Sequence, residues 1–144
     1  MDLVYKKILV AVDGSEASEV AFKKAVEIAK RNDAHLTLAH VIDSRTFATA
    51  EAYDRTLAER AEEYAKELLK KYVEKAEQAN VPNIEKHIEY GSPKVKIAKD
   101  IAQKIDADLI ICGATGMNAV ERFLIGSVSE SITRYAECDV LVVR

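Results

Sequence analysis

Apolar positions along the chain follow two rhythms that alternate. Ile8 to Val12, Leu36 to Val41, Leu109 to Cys112 and Val140 to Val143 are short continuous runs, β-branched or leucine-rich, as strands covered on both faces are. A fifth segment, Ile84 to Tyr90, carries Glu85, Lys86 and Glu89 on both faces, which predicts an edge strand guarded against stray pairing. Between these lie four segments with the 3.6-residue helical period. Ala17, Ala21, Ala25 and Ile28 make a narrow stripe of small residues on the first, predicting close packing against a sheet. The second runs from about Glu51 to Ala79, with Leu57, Ala61, Tyr64, Leu68 and Tyr72 as its expected buried stripe and a heavily charged opposite face. A third opens at Ser92-Pro93, a serine N-cap with proline at the first helical position, and repeats through Ala98, Ile101, Ala102 and Ile105. The fourth opens at Ser127, where Ser127-Val128-Ser129-Glu130 matches a capping box. Strands alternating with helices predict an α/β fold with a largely parallel sheet. Asp43 to Ala50, rich in Ser, Thr and Ala, has the least pattern of any stretch.

Composition narrows the function classes. Residues 1–144 fit one domain, long enough to bury a core without disulfides or metal staples. A formal net charge of −3 argues against a general nucleic-acid or anionic-membrane surface. Met1 to Lys7 lead into an apolar run without a leader-type hydrophobic region, and no stretch approaches a transmembrane length. Cys112 and Cys138 form no metal-binding spacing, which fits a reducing compartment. The expectation is a cytoplasmic protein with neither a nucleic-acid nor a membrane partner.

The chemistry concentrates after the run Leu109 to Cys112, in GATGMNAVERFLIGSVS from Gly113 to Ser129. Glycine lets a backbone turn sharply and approach a ligand closely. The first amides of the helix that follows lack intrahelical partners and sit at the positive end of its dipole, so the stretch reads as a phosphate site. The spacing is neither a Walker A loop nor GxGxxG, which removes P-loop NTPases and ordinary dinucleotide enzymes. Asp13, in Val12-Asp13-Gly14-Ser15, ends the first strand just before a helix. Alone it reads as a turn aspartate. If the first and fourth strands are neighbours, however, Asp13 and the glycine loop flank one crevice at the carboxyl ends of the strands, where open α/β sheets bind ligands. His35, His40 and His87 lack metal-ligand spacing and read as structural histidines, and Cys112 reads as a small buried hydrophobe.

With Gly113, Gly116, Gly126 and Ser127 spaced as G-x2-G-x9-G-S, the chain resembles the universal stress protein family of the nucleotide-binding type. The resemblance spans nearly the whole length, through KKILVAVDGSEAS, Gly91-Ser92-Pro93, ADLIICGATG and VLVVR. It implies a Rossmann-like three-layer α/β/α sandwich of the adenine nucleotide alpha hydrolase type, with a five-stranded parallel sheet ordered 3-2-1-4-5. By position, Ala11, Val12 and Asp13 would border the adenosine, and Val41 would offer main-chain contacts to the base. Gly113, Ala114, Thr115, Gly116 and Met117 would wrap the ribose and phosphates, and Gly126, Ser127, Val128 and Ser129 would hold the phosphate tail. Many relatives carry His or Arg where this chain has Thr115, so ATP, ADP and AMP all stay open.

A helix N-terminus supplies roughly half a positive charge against about four negative charges on ATP. Mg2+ or Mn2+ is therefore expected with the nucleotide, bound through phosphates and not by side chains. Arg122 is the nearest cationic candidate inside the nine-residue segment. The expected function is nucleotide-dependent regulation in the stress response, with hydrolysis slow or absent. Alternatives are an ATP-using enzyme of a related fold, such as a slow ATPase or nucleotidyl hydrolase, and a nucleotide-independent interaction module. The sequence does not point to a downstream protein partner. The wholly apolar Val140 to Val143 would lie at a sheet edge in the implied order, and the resemblance implies a homodimer through it.

Overall fold

β1 (Lys7–Ala11) lies at the centre of the sheet, and Ile8, Leu9 and Val10 are wholly buried there. The structure, a computed structural model, describes residues 4–43, 55–115 and 125–144. Around β1 run β2 (His35–Asp43), β3 (Asn83–Gly91), β4 (Leu109–Gly113) and β5 (Asp139–Val143), all parallel, in the order β3-β2-β1-β4-β5. This is the expected five-stranded Rossmann-like sheet. β3 is an edge, as its charges predicted, and Glu85 and Lys86 are exposed on it. β5 is the other edge.

Alternation along the strands divides the core in two. Ile8, Val10, Leu36, Leu38 and Ile111 face α1 (Glu16–Asn32) and α2 (Arg55–Gln78). Leu9, Ala39, Val41, Ile110 and Cys112 face the opposite layer. That layer contains α3, a run of three consecutive pieces (Pro93–Val95, a π-helical stretch Lys96–Ile101 and Ala102–Lys104), and α4 (Ser127–Tyr135). Ile97, Ala98, Ile101 and Ile132 supply the buried contacts. Among the described residues, no helix is long and apolar enough to cross a membrane.

Three local expectations change. The third helix is not regular: the Ala102 amide reaches back to the Ile97 carbonyl, which makes its middle π-helical, and Ser92 is its N-cap residue without a side-chain capping bond. α2 buries Ala65, Leu69, Tyr72 and Ala76, while Leu57 and Tyr64 are exposed. The stripe is rotated because Ala65 and Ala76 let the helix approach closely while Tyr72 meets Phe22 edge-on, centroids 4.6 Å apart. The fourth helix starts differently, as its contacts show below. Residues 44–54, including most of the Ser/Thr-rich stretch and the expected start of α2, lie outside the described residues.

Candidate functional site

Two turns, one after β1 and one after β4, build the site. β1 ends in a tightly bonded corner. The Val12 amide donates to the Ala39 carbonyl at 2.9 Å, and the Val12 carbonyl accepts from His40 Nδ1 at 2.8 Å. Asp13 Oδ1 accepts the Ser15 amide at 2.9 Å, an Asx turn. Gly14 then takes φ +86°, a left-handed conformation that favours glycine. A Cβ there would run into the Tyr64 hydroxyl, which itself donates to the Asp13 carbonyl at 3.4 Å. Ser15 caps α1, its Oγ accepting the Ser18 amide at 3.1 Å, and Ser18 Oγ accepts the Asp13 amide at 3.3 Å. Asp13 thus performs the turn role that its sequence context alone indicated.

The turn after β4 is a clasp. The Ala114 amide donates to the Val143 carbonyl at 2.9 Å, which fixes Ala114 to β5. The Ala114 carbonyl accepts both the Gly126 amide at 2.7 Å and the buried Ser129 hydroxyl at 2.9 Å. These bonds hold the amino end of α4 against the end of β4. They also replace the expected capping box. Gly126 is the N-cap, with no side-chain capping bond, Ser127 is the first helical residue, and Glu130 reaches Arg134 Nη2 at 2.7 Å instead of turning back. The Ala114 carbonyl draws the Gly126 amide in, so the helix begins one residue early and Ser129 secures it. The first intrahelical bond runs from the Glu130 amide to the Gly126 carbonyl, leaving the Ser127, Val128 and Ser129 amides at the helix mouth.

Gly113 carries a packing duty at the end of β4. A Cβ there would stand 2.7 Å from the Ala17 carbonyl carbon and oxygen and 2.8 Å from its Cβ. Its lack of a side chain lets the first turn of α1 pack onto β4. Cys112 beside it is buried, and desolvation pushes its thiol up to about 11, so it stays protonated at neutral pH.

β1 and β4 are paired neighbours, with Val10 opposite Ile111. Past that pair β1 leads into α1 on one face and β4 leads toward α4 on the other, so the strand order reverses between them. The structure therefore places Ala11, Val12, Asp13, Val41, Gly113, Ala114 and Thr115 at or near the carboxyl ends of β1, β2 and β4, and Gly126, Ser127, Val128 and Ser129 at the amino end of α4, which Ala114 holds. Gly116, Met117 and Arg122 lie outside the described residues.

Sequence reasoning assigned no site role to His40 or Tyr64. Their rings meet edge-on with centroids 6.2 Å apart, directly behind the β1 corner. The available signal was a polar side chain at the level where β1 ends, next to Val41. His87, the other histidine with a described polar partner, meets Glu89 at 3.1 Å on β3. Among the described residues, no group of three or more His, Cys, Asp or Glu converges as a metal cage.

The sequence pattern of the universal stress protein family matches residues 4–144. A universal stress protein of Staphylococcus saprophyticus is 56% identical over 142 residues, covering 99% of this chain and 85% of its own length. Among solved structures, the universal stress protein UspA of Lactobacillus plantarum superposes with a TM-score of 0.89 at 36% identity, covering 99% of this chain and all of its own. Two further matches are complexes. One is a universal stress protein with cAMP (TM-score 0.71, 27% identity, 98% of each chain), and the other an Archaeoglobus fulgidus universal stress protein with dAMP (TM-score 0.70, 25% identity, 99% and 100%).

Proposed function

Because the chain belongs to the universal stress protein family, we propose that it binds an adenine nucleotide across the β1–β4 crevice and acts as a nucleotide-dependent regulator in the stress response. The observation that carries this reading is the clasp at Ala114. It holds the amino end of α4, with the Ser127, Val128 and Ser129 amides, at the point where the strand order reverses. Such a helix mouth suits a phosphate. The Ser129 hydroxyl proton is committed to Ala114, so Ser129 would serve through its amide. Adenine mononucleotides in two structural relatives support the base.

ATP, ADP and AMP all fit this reading. A triphosphate would bring Mg2+ or Mn2+ on its phosphates, since the crevice's described carboxylate, Asp13, already holds its own turn. Equal ATP affinity with and without a chelator would rule the ion out. One partly engaged carboxylate is a poor general base, so turnover would be slow and the bound nucleotide would serve as a state signal. Native mass spectrometry of freshly purified protein tests the reading. An adenine nucleotide at one per chain is expected. A nucleotide-free chain that takes up no added ATP, ADP or AMP would overturn it.

A further inference from the structure

β2 donates to the β1 side through alternate residues: the His35 amide bonds the Lys6 carbonyl, and the register Lys7↔His35 to Ala11↔Ala39 repeats that offset. The next rung in the series is the Val41 amide on the Val12 carbonyl. That rung is not formed. Among the described residues, the Val12 carbonyl takes no main-chain donor and accepts His40 Nδ1 at 2.8 Å instead. A carbonyl only accepts, so Nδ1 carries the proton. Val41 is 8% exposed, and burying a backbone amide without a partner is costly. By parity its N–H and C=O both point past the end of β1, into the crevice mouth.

We propose that His40 is a positioning residue for base recognition: by taking the Val12 carbonyl, it ends the β1–β2 ladder one rung early and leaves the Val41 main chain to bond a nucleobase edge. The inference rests on the adenine-nucleotide reading. A free N–H beside a free C=O complements an edge with a ring-nitrogen acceptor next to an amino donor, as adenine has. The imidazole is held in place from behind by Tyr64, whose hydroxyl reaches the Asp13 carbonyl above it and which fits there because Gly14 has no Cβ. One imidazole bond thus converts a ladder position into a recognition position.

Amide exchange and ligand titration on wild type, His40→Leu and His40→Asn test this. In the free wild type, the Val41 amide exchanges about tenfold or more faster than that of Ala39. In His40→Leu the rung closes and Val41 slows toward Ala39, while His40→Asn, whose amide still donates, keeps it fast. His40→Leu weakens AMP by about tenfold, His40→Asn restores it to within about threefold, and ribose 5-phosphate, which has no base, binds all three alike. Wild-type AMP binding with no change in either readout in His40→Leu would overturn the proposal alone. An equal loss of AMP and ribose 5-phosphate in His40→Leu would also overturn it, by making His40 merely structural. A wild type that binds neither compound would overturn the nucleotide reading, and the recognition role of His40 with it.

Discussion

The two glycines that frame the clasp look equivalent in the motif and are not equivalent in the molecule. Gly113→Ala places a methyl 2.7 Å from the Ala17 backbone, so overpacking should cost about 1–3 kcal/mol whether or not nucleotide is present. Among the described residues Gly126→Ala meets nothing closer than 3.4 Å, at φ −66° and ψ 161° that any residue adopts. The lost chain entropy of glycine and its advantage over alanine at an N-cap roughly offset each other, so the variant should stay within about 0.5 kcal/mol of the parent. Urea unfolding of both variants without ligand checks the contrast. Equal midpoints would mean that α1 does not press on β4 as described. The result also decides which glycine can probe binding, since only a variant of unchanged stability isolates the site. Glu89 offers a second prediction at this scale. Lys104 Nζ at 2.9 Å and His87 Nε2 at 3.1 Å hold its carboxyl down at about 2, from 4.5. A depressed carboxylate stabilises the fold fully above its unfolded value and ceases to do so as pH falls through its folded one. Stability should therefore drain away from about pH 4.5 to about pH 2, and Glu89→Gln should flatten that limb in denaturant midpoints taken across the window.

At the scale of elements, the pattern reading succeeded where a segment had one consistent environment. β1 and β4 are apolar throughout because both faces are covered, and β3 carries charge on both faces because it ends the sheet. α2 was harder for a physical reason. Its sequence supports two adjacent stripes that share Tyr72, and the deciding residues, Ala65 and Ala76, are small enough to look neutral. Leu57 and Tyr64 look like better core residues, yet Leu57 stands in solvent and Tyr64 braces a turn 51 positions away. The His40 bond spans 28 positions and depends on where β1 stops, which no periodicity records. The capping box failed similarly: Ser127 and Glu130 satisfy the local rule, but the Ala114 carbonyl, on another element, sets where α4 begins. The rotated stripe makes a direct prediction. Leu69→Ala should cost about 2–5 kcal/mol, whereas Leu57→Ala should stay within about 0.5 kcal/mol. Comparable losses in thermal or urea unfolding would put α2 back on its other face.

For the whole molecule, the question is how β5 ends the sheet. Val140, Leu141 and Val142 are half-buried, and among the described residues the outer side of the strand has no sheet neighbour. β3 at the opposite edge is guarded by Glu85 and Lys86, whereas β5 is apolar between Asp139 and Arg144. Such an edge invites a strand from another chain, and a second copy suits it well. Under two-fold symmetry the strands would run antiparallel, and pairing centred on Leu141 would set the apolar run Val140 to Val142 of each copy against the same run of the other. The clasp lies immediately behind this edge, because the Ala114 amide bonds the Val143 carbonyl, so dimerisation would brace the phosphate end of the crevice. A homodimer through Val140 to Val143 is thus the assembly we propose. Light scattering at micromolar concentration should give twice the 16.0 kDa chain mass, and Val142→Lys should shift it toward the single-chain value while the circular dichroism of the fold persists. A parent that scatters as a single chain would remove the dimer. A Val142→Lys protein that remains fully dimeric would place the contact on another surface.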